Sequence, residues 1–180
     1  MTRILGIDVG DKTLGVAVSD ELGLTAQGVT VHGRTSLSAD LAFLREIIAR
    51  YNAMAVVIGV PKNMDGSLGP QAQKTLAFIA RVRQSCPIPV VPWDERLTTQ
   101  QAERVLLEAN TSRRRRKQVR DRLAAQLILQ SYLEWRTRHP DNSLSVDEKG
   151  TPLSKGLPPE NKAAEAKHNE IGQPNADHQS

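Results

Sequence analysis

Cysteine and aromatic residues are scarce in this chain. Its one cysteine, Cys86, cannot form a disulfide within the chain, which is typical of a protein from a reducing compartment. Trp, Tyr and Phe together make up 3% of its 180 residues, so we expect little stacking of nucleic-acid bases on aromatic rings. No apolar run approaches the roughly 20 residues that a membrane-spanning helix needs, and the first residues lack a signal-peptide pattern. We therefore expect a soluble cytoplasmic protein with no membrane contact.

The motifs of several common active sites are also missing. None of the four histidines has the spacing of a metal ligand, and Cys86 has no partner motif. The chain has no Gly-x-x-x-x-Gly-Lys-Ser/Thr sequence that would indicate a phosphate-binding loop of the nucleotide-hydrolase type. We therefore assign no chemistry to the histidines or to the cysteine.

The net charge of +4 is unevenly distributed along the chain. The first 138 residues hold 20 of the 24 Lys and Arg residues but only 13 of the 20 Asp and Glu residues. This basic part predicts a polyanionic partner. Residues 139–180 lean acidic and are rich in Pro, Ser, Asn, Lys and Glu, with few apolar residues to bury. We therefore predict one folded domain over 1–138 and a disordered tail over 139–180.

Hydrophobic periodicity and turn residues predict strands and helices in the order β-β-β-α-β-α-β-α-α. Strands are expected over 3–9, 13–20, 24–31, 54–60 and 87–93. Helices are expected over 39–51 after a Ser38 cap, over 70–84, after Leu97 with Thr98 and Gln101 as a capping box, and over 118–137. The order predicts an α/β fold with a mixed five-stranded sheet: an antiparallel three-strand meander, two parallel strands, and helices on the faces. This arrangement resembles ribonuclease H.

Three acidic residues stand out by their surroundings. Asp8 lies in a strand so apolar that it should be central and buried, where a carboxylate is costly unless it binds something. Glu95 comes directly after the last strand, and sites form at the carboxyl ends of parallel strands. Asp121 shares a helix face with apolar residues three, four and seven positions later, so it should point toward the sheet.

Carboxylates without a nearby His or Cys favour hard cations such as Mg²⁺ or Mn²⁺. Two such ions about 3.5–4 Å apart can activate water and stabilise the leaving oxygen in phosphodiester cleavage. We therefore predict Asp8, Glu95 and Asp121 as metal ligands and catalytic residues. Ordinary roles stay open: Asp8 as a strand end, Glu95 as a partner of Arg96, and Asp121 as a helix-dipole acid. Asp94 is expected to cap or support its neighbours rather than to bind metal.

Basic residues near these acids are predicted to contact nucleic-acid phosphates. Five consecutive basic residues precede Asp121, one follows the first strand, one opens the polar loop 62–69, and one follows Glu95. They are Lys12, Lys62, Arg96, Arg113, Arg114, Arg115, Arg116 and Lys117. Ordinary roles stay open for these residues as well: Lys12 as an exposed turn residue, the loop 62–69 as a plain connection, and the run 113–117 as a solvated helix face.

Four motifs in order resemble the YqgF-type family of pre-16S rRNA nucleases, once called Holliday-junction-resolvase-like proteins. They are the hairpin over 6–20, Val57–Pro61 with Gly66 and Gly69, Asp94–Thr98, and the segment 117–133. The resemblance covers about residues 3–137. It implies a ribonuclease H-like fold, a metal-dependent nuclease and a role in maturing the 5′ end of 16S rRNA. It also implies that Asp8, Glu95 and Asp121 are the family's site acids.

Other functions remain open at this stage. The partner is expected to be pre-16S rRNA within a small-subunit precursor, and the protein a monomer or weak homodimer. One alternative is a Holliday-junction resolvase acting on four-way DNA junctions as a dimer. Another is a non-catalytic RNA-binding factor of ribosome assembly. An actin-like ATPase or sugar kinase would need two domains, and this chain has room for one.

Overall fold

The computed structural model describes residues 3–97 and 113–139, which contain five strands, three longer helices and one short 3₁₀ turn. The strands are β1 (Arg3–Val9), β2 (Thr13–Ser19), β3 (Ala26–Gly33), β4 (Ala53–Val60) and β5 (Val90–Asp94). The helices are α1 (Leu37–Tyr51), α2 (Pro70–Ser85) and α3 (Arg113–Arg138), and the 3₁₀ turn is Glu95–Leu97.

The five strands form one mixed sheet in the order β3-β2-β1-β4-β5. The β1–β2 and β2–β3 pairs are antiparallel, and the β1–β4 and β4–β5 pairs are parallel. The predicted fold class is therefore confirmed. β1 is the middle strand because it is apolar on both faces, and the proline-bearing β5 lies at an edge, where a missing N–H costs least.

Helices cover both faces of the sheet. On one face, α1 and α2 pack against apolar side chains that include Leu5 and Ile7 of β1. On the other face, α3 packs through Ala125 and Leu129 against a cluster that includes Ile4. Successive side chains of a strand point to opposite faces, so Asp8 shares the α3 face with Ile4.

Glycines let α3 lie directly on the sheet. A Cβ added at Gly6 would lie 2.5 Å from Leu129 Cβ and 2.9 Å from the Ala125 carbonyl oxygen, and one at Gly28 would lie 2.6 Å from Arg122 Cγ. Real Cβ atoms do not approach so closely, so larger residues at these strand positions would push the helix away. The backbone of α3 is thereby fixed close to β1, β2 and β3.

Several boundaries differ from the sequence predictions for physical reasons. β3 begins at Ala26, because the backbone N–H of Leu24 donates to the Asp20 carboxylate (2.7 Å) in the preceding turn. α1 begins at Leu37 and its cap is Ser36, whose hydroxyl accepts from the Ala39 N–H, so Ser38 is not the cap. β5 begins at Val90, since prolines at 87 and 89 cannot donate to a ladder.

The start of the last helix was also predicted wrongly. α3 begins at Arg113 rather than at residue 118, so the basic run forms its first turns. Arg and Lys are good helix formers, and that propensity outweighs the unfavourable contact of cations with the helix N-terminus. The predicted capping box at Thr98 and Gln101, its helix and the tail from residue 140 lie outside the described residues. In the described part of the chain, no helix combines the length and apolar character needed to cross a bilayer.

Candidate active site

Two glycines flank Asp8 on the neighbouring strands. Asp8 lies near the carboxyl end of β1 and pairs directly with Gly15 of β2. On the other side Ile7 pairs with Ile58 of β4, so Gly59 lies next to Asp8 across the parallel ladder. Since neither glycine has a side chain, the sheet surface on both sides of Asp8 is open to groups from other elements.

Glu95 and Asp121 each cover one of these glycines. A Cβ added at Gly59 would lie 2.6 Å from Glu95 Oε1, so the Glu95 carboxylate extends back over β4. A Cβ added at Gly15 would overlap the backbone carbonyl of Asp121, so Asp121 of α3 lies over β2. The three acids therefore form a row across the sheet, with Asp8 in the middle.

The electrostatics of the row show that its members act on one another. Burial, and then the negative charge of Asp121, raises the pKa of Asp8 from 3.8 to about 6, against a lowering effect of Arg120. Burial, and then the charges of Asp8 and Asp94, raises the pKa of Glu95 from 4.5 to about 7. Desolvation and like charges both disfavour an ionised carboxylate, so this region carries a negative potential that a bound cation would relieve.

The carboxylate of Asp121 is held by a neighbour on β2. Asp121 is only 9% exposed, which confirms the prediction that it faces the sheet. The Thr13 hydroxyl donates a hydrogen bond of 2.7 Å to Asp121 Oδ2. Arg120 Nε lies 3.9 Å from Asp121 Oδ1, too far for a hydrogen bond, and the same guanidinium also acts on Asp8. One oxygen of Asp121 is thus held firmly and the other only loosely.

The donor set of the row suits a hard divalent cation. All three side chains offer carboxylate oxygens, the ligands that Mg²⁺ and Mn²⁺ prefer, and two of them have the raised pKa that a nearby cation would lower. Among the described residues, no three His, Cys, Asp or Glu side chains already form a group that could hold one ion. Mutual repulsion of carboxylates opposes such close approach, so the residues fit a cation in chemistry and would have to draw together around it.

The predicted phosphate-binding residues are placed differently from one another. Lys12 is exposed in the turn between β1 and β2, at the end of the sheet where Asp8 lies. Lys62 and Arg96 both pair with Asp94: Lys62 Nζ lies 3.6 Å and Arg96 Nη2 lies 2.7 Å from Asp94 Oδ2. Although partial burial acts to raise it, hydrogen bonds from Arg96 and the charge of Lys62 lower the pKa of Asp94. Asp94 therefore supports its neighbours, as predicted.

Arg96 also connects the strand end to the loop that follows β4. Its Nη1 is 3.4 Å from the carbonyl oxygen of Met64, and its guanidinium lies over Gly66. These contacts join the loop to Arg96, the residue that follows Glu95. The residues from Arg113 to Lys117 form the first turns of α3, and nothing about their side chains is described.

Sequence reasoning did not identify Gly15, Gly59 or Thr13 as parts of this site. Glycine inside a strand weakens it and commonly marks a close approach of other groups, so the two glycines carried a usable signal. Thr13 carried none, because its contact with Asp121 joins residues 108 positions apart.

A mixed sheet of this order, with an acid on its central strand and two more beside it on the face that α3 covers, defines a protein of the ribonuclease H-like fold. The structure titled "T. thermophilus RuvC in complex with Holliday junction substrate" matches with a TM-score of 0.52 at 19% identity. The match covers 76% of this chain and 98% of that one, and it supports the fold alone.

The family follows from the sequence match. The model described as "RuvX: Holliday junction resolvase" matches residues 2–135, and the chain belongs to that family. It is 54% identical over 141 residues to a "Putative pre-16S rRNA nuclease" of Symbiobacterium thermophilum, covering 78% of this chain and 98% of that protein. It is 56% identical over 132 residues to a protein of that name from Moorella thermoacetica, covering 73% and 94%. The resemblance inferred from the four motifs is confirmed.

Proposed function

We propose that this protein is a divalent-metal-dependent endonuclease that matures the 5′ end of a 16S rRNA precursor in the cytoplasm. The observation that carries the proposal is the row formed by Glu95, Asp8 and Asp121 across the α3 face of the sheet. The names of the relatives, which exceed 50% identity over most of their length, supply the substrate.

Each acid has a distinct part in the proposed site. Asp8, in the middle of the row, would contact every bound ion, and Glu95 and Asp121 would complete the ligand shells from either side. Bound Mg²⁺ or Mn²⁺ would activate water and stabilise the leaving oxygen of the phosphodiester. Partial burial and neighbouring negative charges, which raise the pKa of Asp8 and Glu95, would strengthen the attraction of the ionised carboxylates for cations.

Basic residues would hold the substrate backbone. Among the predicted phosphate contacts whose side chains the structure describes, Lys12 is the exposed one outside the Asp94 pairing, and the run 113–117 precedes Asp121 on α3. Lys62 and Arg96 hold Asp94, so they would contact phosphate only through the donor groups that this pairing leaves available. Such contacts give affinity without choosing a base sequence.

The test compares cleavage by the wild type, Asp8→Asn and Asp11→Asn. Asp11 is a matched control, because it lies in the adjacent turn and its side chain is 70% exposed. With a precursor RNA carrying the 5′ flank of 16S rRNA and Mn²⁺, we expect cleavage by the wild type and by Asp11→Asn. Asp8→Asn should be slower by roughly 100-fold or more, as for the loss of a group that stabilises the transition state directly. Equal rates for Asp8→Asn and the wild type would refute the assignment.

A second arm of the experiment separates the alternatives. The family description names Holliday junction resolvase, so a four-way DNA junction is offered in parallel with the RNA under the same conditions. Cleavage of the junction alone, by a dimer, would favour the resolvase. Tight RNA binding with no cleavage of either substrate would favour a non-catalytic assembly factor.

A further inference from the structure

A single hydroxyl joins the acid supplied by α3 to the hairpin that carries Asp8. Thr13 is the first residue of β2, and its Oγ1 donates its one proton to Asp121 Oδ2 at 2.7 Å. The backbone of Asp121 is fixed separately, because its carbonyl lies against Gly15 of the same strand. The side-chain hydrogen bond therefore acts on the orientation of the carboxylate rather than on the position of the helix.

The backbone of the turn that carries Thr13 is held by residues that follow β3. The N–H of Gly10 donates to the Thr13 carbonyl (2.9 Å), which closes the turn between β1 and β2. Arg34 makes two hydrogen bonds to the same turn. Its backbone N–H donates to the Lys12 carbonyl (2.9 Å), and its Nη1 donates to the Gly10 carbonyl (2.7 Å). The Arg34 guanidinium is in turn fixed by Asp40, which is 1% exposed and accepts from Arg34 Nε at 2.8 Å.

We propose that Thr13 is a positioning residue that holds Asp121 Oδ2 and thereby presents the other oxygen, Oδ1, to a divalent cation beside Asp8. The inference rests on the proposed function, because it concerns how one acid of that site is oriented. Without the hydroxyl, repulsion from Asp8 would favour rotation of the Asp121 carboxylate away from the row. The ligand set would then have to be reassembled each time a cation binds.

Two substitutions separate the hydroxyl from the bulk of the side chain. Thr13→Val keeps the branched shape and removes the donor, whereas Thr13→Ser keeps the donor and removes the methyl group. Mn²⁺ affinity is measured by calorimetry without RNA, and kcat and KM with the precursor RNA. We expect Thr13→Val to bind Mn²⁺ about 10-fold more weakly, the lower end of the effect of losing a group that orients a metal ligand. Its kcat should fall while KM for the RNA stays near the wild-type value, and Thr13→Ser should recover most of both losses.

The outcomes discriminate between this inference and the function on which it rests. Wild-type Mn²⁺ affinity and kcat in Thr13→Val would overturn the positioning role and leave the proposed function standing. Equal losses in Thr13→Ser and Thr13→Val would also overturn it, since they would indicate packing of the methyl group. A wild-type protein that neither binds Mn²⁺ nor cleaves would overturn both. Thermal unfolding checks each variant, and Thr13→Ala replaces Thr13→Val in the comparison if the valine variant does not fold.

Discussion

Replacing Asp8 with asparagine should stabilise the metal-free protein at pH 8. The site raises the pKa of Asp8 from 3.8 to about 6, because the carboxylate is partly buried and lies near Asp121. At 1.36 kcal/mol per pKa unit, ionising Asp8 in the folded protein costs about 3 kcal/mol more than in the unfolded chain. Asparagine has nearly the same shape and no charge, so the substitution should recover about 2–3 kcal/mol of unfolding free energy.

The stability that Asp8→Asn gains over the wild type should increase with pH. Between pH 3.8 and about 6 the folded protein keeps a proton on Asp8 that the unfolded chain has released, so rising pH destabilises the folded state of the wild type. Asp8→Asn lacks this contribution. The difference between the two proteins should therefore be small near pH 4, grow through pH 6 and be complete at pH 8.

Urea unfolding in EDTA at pH 4.5 and pH 8 measures the unfolding free energies of the wild type and Asp8→Asn. Asp11→Asn is the control, and its stability should stay within about 1 kcal/mol of the wild type because it loses only an exposed ion pair with Lys74. Adding Mn²⁺ at about 100 times its dissociation constant should stabilise the wild type by about 2.7 kcal/mol and Asp8→Asn by much less. The reasoning would be refuted if Asp8→Asn were less stable than the wild type at pH 8, or if the difference were equal at both pH values.

Two further substitutions test the geometry around the row. Gly59→Ala should abolish most cleavage and lower the melting temperature, because the new methyl group would lie 2.5 Å from Ile128 Cδ1 in the core and 2.6 Å from Glu95 Oε1 and would displace both, whereas Gly33→Ala meets nothing within 4 Å and should retain wild-type kcat and melting temperature. Full activity in a folded Gly59→Ala would contradict the position given to Glu95. Arg34→Met should lower the unfolding free energy by about 3–5 kcal/mol in urea titrations, because it leaves the buried charge of Asp40 without its closest partner. A loss under about 1 kcal/mol would show that the Arg34–Asp40 pair does not stabilise the fold.

The fold was predictable because its strongest signals are local. β1 is apolar on both faces and therefore central, and the alternation of later strands with helices required a parallel half of the sheet. One local detail was missed. Ser36 and Ser38 are equally good caps in sequence, and the structure distinguishes them by the extended backbone of Ser36 (φ −151°) and the hydrogen bond that its hydroxyl accepts from the Ala39 N–H.

The acids of the candidate site were predictable for a similar reason. Asp8 is anomalous in its own strand, and Asp121 is anomalous on its own helix face, so each could be recognised without knowing its partner. The strand register and the packing of α3 on the sheet are what bring Gly15, Gly59 and Thr13 into the site. That information comes from pairings between distant residues, which one sequence does not contain.

A crystal structure of the wild type soaked with Mn²⁺ tests the central claim most directly. The account predicts manganese density against Asp8, with oxygen ligands from Glu95 on one side and from Asp121 Oδ1 on the other, while Thr13 keeps its hydrogen bond to Oδ2. Manganese bound elsewhere, or a row of three acids that stays apart and free of metal at saturating Mn²⁺, would contradict it.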